Sequence, residues 1–121
     1  MSELSGAERR HAERVDAQLN LQVHLPLEEG PTSLQMLNVS SAGVYFRSKR
    51  YIEPMTKLEM EFDVPVGDVQ LPVRCEGIIA RIIPELPDPS VDEFDVAVFF
   101  TTIDSESFEN LEAYIEGRLQ P

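Results

Sequence analysis

The 121-residue chain has no tryptophan, one cysteine, two histidines and no apolar run near the roughly 20 residues that a membrane-spanning helix requires. Each shortage closes a class of function. A single thiol, Cys75, makes neither an internal disulfide nor a thiolate metal cluster, and its place in an alternating apolar stretch marks it as a core residue. His11 and His24 fall at no spacing used by zinc enzymes, and neither GxxxxGK[ST] nor GxGxxG occurs. The cradles of nucleotide hydrolases and dinucleotide-dependent oxidoreductases are therefore missing, and the expectation is a non-enzymatic protein with no metal and no cofactor. Basic residues are also scarce: 10 Lys and Arg stand against 22 Asp and Glu, a net charge of −12. Such a surface repels a phosphate backbone and speaks against a general nucleic-acid binder. Met1 to Ala12 carry no apolar signal-peptide core, and the chain reads as cytoplasmic, with no membrane insertion.

What is present is a patterned sequence of single-domain length. Residues 1–18 hold few large apolar side chains, so they bury little by themselves and read as a flexible N-terminal arm. Residues 19–103 read as a barrel. Apolar and polar residues alternate from Leu19 to Leu25, with further strands at Ser33 to Val39 and Val44 to Arg47. Lys57 to Val64 is the clearest, with Leu58, Met60, Phe62 and Val64 on one face and Glu59, Glu61 and Asp63 on the other. Pro65 to Asp68 turns the chain into Val69 to Ile83, where Gly77 signals a bulge or bend, and Phe94 to Thr101 closes the set. From residue 104 to 121 the period becomes helical: Phe108, Leu111, Ile115 and Leu119 form a stripe, Asp104 or Ser105 caps it, and Glu106 suits the positive end. The fold class is all-β with one C-terminal helix, a small antiparallel barrel of about six strands.

Two clusters carry the remaining chemistry. Arg10-His11-Ala12-Glu13-Arg14 lies in the arm, and 24 residues after Arg14 comes Asn38-Val39-Ser40-Ser41-Ala42-Gly43. Taken alone, the arginines fit an exposed helix face with Glu13 as ion partner, and the second cluster fits a hairpin turn. Together they match RxxxR followed by [DN]xSxxG, and the chain resembles the PilZ domain family from roughly Glu8 to Leu119. Val44-Tyr45-Phe46, the Leu58 to Phe62 strand, Gly77 to Arg81 and the Phe94 to Phe100 strand fall where PilZ domains have similar elements.

The resemblance implies a six-stranded antiparallel PilZ-type barrel and, as ligand, cyclic di-GMP in bacterial signalling. Guanidinium forks bridge phosphate oxygens or the O6 and N7 acceptors of guanine, the role expected of Arg10, Arg14 and Arg9. Asn38 offers an amide to a guanine edge. Ser40 would add a hydroxyl on the same side, and Gly43 a backbone free for φ > 0 or close approach. In similar domains an arginine placed like Arg9 accompanies an intercalated ligand dimer. Arg47, Lys49 and Arg50 read as a solvated loop, Arg81 is open between ligand and solvent, and Tyr45 and Phe46 read as packing. Ordering of the arm by ligand would relay a signal to an unidentified effector protein, through the barrel face or the helix around Tyr114. The alternatives are a PilZ-like adaptor without nucleotide, weakened by the intact half-motifs, and an oligonucleotide-binding barrel, weakened by the negative charge.

Overall fold

The computed structural model describes residues 13–120. Seven strands and one helix follow in order: β1 (Val15–Asp16), β2 (Asn20–His24), β3 (Thr32–Val39), β4 (Gly43–Ser48), β5 (Lys57–Val66), β6 (Val69–Ile83), β7 (Phe94–Ile103) and α1 (Ser105–Leu119). Neighbouring strands run β3-β2-β5-β6-β7-β4, and β4 returns to β3, so six strands close an antiparallel barrel. Closure leaves the six-stranded ring without a free edge. Alternation places Leu21, Val23, Met36, Phe46, Leu58, Met60, Val64, Ile79, Val96 and Val98 in one buried core. Burying each large apolar side chain contributes about 1.5–3 kcal/mol.

The arm read across residues 1–18 joins the barrel from Val15 onward. β1 pairs with β3 as Val15↔Val39 and Asp16↔Asn38, and β2 pairs with the same strand further along, as Asn20↔Gln35 and Leu21↔Leu34. Ala17 N donates to Leu37 O at 3.1 Å and Met36 N to Leu19 O at 2.9 Å across the gap. β1 and β2 are thus two pieces of one irregular strand. Val15 and Ala17 are buried, and two such residues are too few to announce a strand by alternation.

One turn departs from the sequence reading and one expected bend agrees with it. The β5–β6 hairpin is tighter than expected: Pro65 pairs with Gln70 and Val66 with Val69, leaving Gly67 and Asp68 as the loop. Gly67 takes φ +60°, which suits a two-residue hairpin turn. Gly77 does mark a bulge, since the β6–β7 register slips between Glu76 and Gly77. A Cβ there would lie 2.6 Å from the Val98 side chain and 2.7 Å from Phe99 O, so only glycine lets the two strands meet at that point.

Asp104 is the N-cap of α1, its carboxylate accepting from Ser107 N at 2.7 Å. Ser107 Oγ in turn accepts from Arg74 N on β6, at 2.9 Å. The helix buries Ser107, Leu111, Tyr114 and Ile115 and packs on β6, β5 and β1. Half of the expected stripe is displaced, because Phe108 and Leu119 stay 36% and 47% exposed. Tyr114, expected to offer a partner surface, is only 6% exposed and belongs to the core. At the other end of the helix Arg118 Nη2 donates to Asp16 O at 2.7 Å, tying α1 to β1.

Candidate ligand-binding site

Strand pairing, not chain proximity, brings the two half-motifs together. Because Val15 pairs with Val39, the residue before it and the residues around Asn38 share one end of the sheet. Arg14 Nη1 donates to Asn38 Oδ1 at 2.8 Å and reaches Gly43 O at 3.5 Å. Its guanidinium lies over the Tyr45 ring, 4.8 Å from the centroid, a favourable cation–π arrangement. Tyr45 itself pairs with Asn38 across β3 and β4. Partial burial pushes the Arg14 pKa down while Tyr45 pushes it back up; a guanidinium remains charged at neutral pH regardless. The result is a fixed cation at the surface whose remaining donors can meet an anion or an acceptor edge.

The other expected residues fall into three groups. Arg9 and Arg10 lie outside the described residues. Asn38 stands at the site, already paired with Arg14. Ser40 and Gly43 act on the backbone instead. Ser40 is 1% exposed, and its Oγ accepts from Ala42 N at 3.1 Å while its own N donates to Gly43 O at 2.9 Å. Its hydroxyl therefore shapes the turn and does not stand beside the Asn38 amide at the surface. Gly43 needs no positive φ; a Cβ there would lie 2.1 Å from Val98 O, so the close approach is to β7.

Tyr45 is the residue that sequence reading passed over as packing. Its signal was parity: Val44 and Phe46 are buried on β4, which turns Tyr45 outward beside Asn38. Of the three residues read as a solvated loop, Arg47 stands on β4, where strand pairing sets it opposite Asp95, and only Lys49 and Arg50 lie in the loop beyond; all three are exposed. Arg47 meets Asp95 at 3.2 Å and Glu93 at 3.8 Å, and Arg50 meets Glu28. Among the described residues no group of histidine, cysteine and carboxylate side chains has metal-site geometry, and no helix is long and apolar enough to cross a membrane.

A family model for the PilZ domain matches residues 8–117, spanning both half-motifs, the whole barrel and most of α1. The chain belongs to the PilZ domain family. Among solved structures it is similar to the Bacillus subtilis inhibitor of motility MotI/DgrA, with a TM-score of 0.73 and 18% sequence identity. The match covers 92% of this chain and 52% of that one, so this PilZ chain spans about half that protein's length. At that identity the likeness establishes the fold. A comparison with curated proteins finds no match. PilZ domains are regulatory binding domains, no catalytic family is indicated, and the chain is accordingly a PilZ-type regulatory protein.

Proposed function

We propose that this PilZ domain is a bacterial, cytoplasmic receptor for cyclic di-GMP that passes the binding event to an effector protein. The observation that carries the reading is the 2.8 Å bond from Arg14 of the first half-motif to Asn38 of the second. It holds a guanidinium fork and an amide side by side, one suited to phosphate oxygens or guanine O6 and N7, the other to a guanine edge. Ser40 and Gly43 contribute by fixing the turn that presents Asn38. Arg9 and Arg10 add forks from the leader, and their docking onto the ligand fixes the leader against the barrel, which is the change the effector reads. Arg9 further suits an intercalated pair of ligand molecules, which calorimetric stoichiometry tests directly: two ligands per chain supports the pair and one removes it.

Calorimetric titration with cyclic di-GMP tests the site. A hydrogen bond to a charged group is worth about 1.5–3 kcal/mol, so Arg14→Ala and Arg10→Ala each weaken binding by roughly ten- to a hundred-fold. Asn38→Ala weakens it less, by several-fold. Wild-type affinity in both arginine variants removes the site assignment.

A further inference from the structure

The antiparallel order of the barrel gathers three loops at the end away from Arg14 and Asn38: residues 25–31 between β2 and β3, 49–56 between β4 and β5, and 84–93 between β6 and β7. Each presents a large apolar side chain to solvent, Leu27 at 107%, Met55 at 70% and Leu86 at 74% exposure. One exposed leucine needs no explanation, but the backbone sets two of these three apart. Leu27 has φ +67° and Met55 φ +72°, a left-handed conformation that strains a residue with a bulky side chain. Neither side chain offsets that strain by burial, and strain of this kind collects at sites of binding.

The loops are braced against one another. Arg50 pairs with Glu28, linking the first loop to the second, and the Tyr51 hydroxyl donates to Glu85 O at 3.0 Å, linking the second to the third. Met55 N donates to Ile79 O at 2.7 Å and Ile79 N to Thr56 O at 2.9 Å, which fixes the second loop on β6. Between the first two loops lies a groove of about 630 Å³, its lining including Leu25, Tyr51 and Ile52 as well as Pro26, Glu28 and Met55. A surface held in advance on such a frame loses little entropy at binding.

Charge selects the occupant. Glu29, Glu53, Glu85 and Asp92 are exposed on these loops, and among the described residues none of them has a salt-bridge partner. A second copy of the chain would bring the same carboxylates and a further net charge of −12. A nucleic acid or an anionic membrane would meet the same repulsion. A basic segment with an apolar anchor meets none.

We propose that this loop end docks a partner protein through a basic amphipathic segment: an apolar side chain of the segment enters the groove beside Leu27 and Met55, and its lysines or arginines face the rim carboxylates. The inference goes beyond the receptor reading and does not rest on it, because Arg14 and Asn38 lie at the opposite end of the barrel. Fluorescence anisotropy of a labelled leucine–lysine amphipathic peptide tests it, with a leucine–glutamate peptide of the same pattern as control. The lysine peptide is expected to bind saturably, less tightly as salt rises, and the glutamate peptide not to bind. Leu27→Asn combined with Met55→Asn removes both apolar side chains, suits the left-handed backbone and leaves the charge unchanged. That variant is expected to bind the lysine peptide roughly ten-fold or more weakly, with a melting temperature equal to or above wild type. Amide shifts in the wild-type chain should fall in residues 25–31 and 49–56. No binding of the lysine peptide, wild-type affinity in the double variant, or shifts confined to Glu59, Glu61 and Asp63 on β5 overturns the proposal. So does a dimer in sedimentation that the double variant abolishes, since a second copy is then the occupant. None of these readouts involves cyclic di-GMP, so failure here leaves the receptor reading untouched.

Discussion

Arg14, Asn38 and Tyr45 hold one another in place before any ligand arrives, which lowers the entropy cost of recruiting a long arginine side chain at binding. Gly43 contributes differently. A methyl group there meets the Val98 carbonyl at 2.1 Å, so Gly43→Ala, ordinarily favourable in a strand, is expected to destabilise the fold by about 1–3 kcal/mol. Chemical denaturation of that variant without ligand measures it; an unchanged midpoint would contradict a structural role. Cys75 gives a pH prediction. Burial first, then Asp104 and Glu76, raise its pKa from 9.0 to about 12. A thiol with a raised folded pKa contributes its full stability below 9.0 and loses it as pH climbs toward 12, because the unfolded chain ionises first. The destabilisation caused by Cys75→Ala should therefore shrink across that interval, and in the native protein the thiol should resist alkylation that proceeds readily once it is unfolded.

At the scale of elements, the Asp104 cap secures α1, and through Ser107 Oγ it also reaches the backbone of β6. Asp104→Ala should cost about 1 kcal/mol, within the range for caps, as a lower denaturation midpoint. The six barrel strands were legible because each alternates strongly enough to fix its buried face, and the Gly77 bulge because glycine there interrupts an apolar run. β1 was not legible: its pairing depends on a long-range partner, Val39, and no local pattern encodes that. The helix stripe was half legible. Leu111 and Ile115 face the barrel, but Ser107 and Tyr114 are turned inward with them in place of Phe108 and Leu119. At the site, residue types disclosed the two half-motifs, whereas the burial of Ser40 and the placing of Tyr45 beside Asn38 emerged only from the folded chain and its register.

For the whole molecule, the arrangement is an acidic barrel that carries a fixed arginine, Arg14, beside Asn38 and Tyr45. A ligand that binds only the folded state raises stability in proportion to the logarithm of its concentration. Cyclic di-GMP should accordingly raise the melting temperature progressively, and the rise should be lost in Arg14→Ala. The bond from Arg118 to Asp16 O places the end of α1 one strand residue from Val15, so a change at Arg14 has a short covalent and hydrogen-bonded route to the helix. The most direct test of the central claim is the amide NMR spectrum of the full chain titrated with cyclic di-GMP and, separately, with single-stranded DNA. The account predicts shifts at Arg14, Asn38 to Gly43 and Tyr45 with the dinucleotide alone. An unmoved spectrum at saturating micromolar dinucleotide, or the same shifts with DNA, would contradict it.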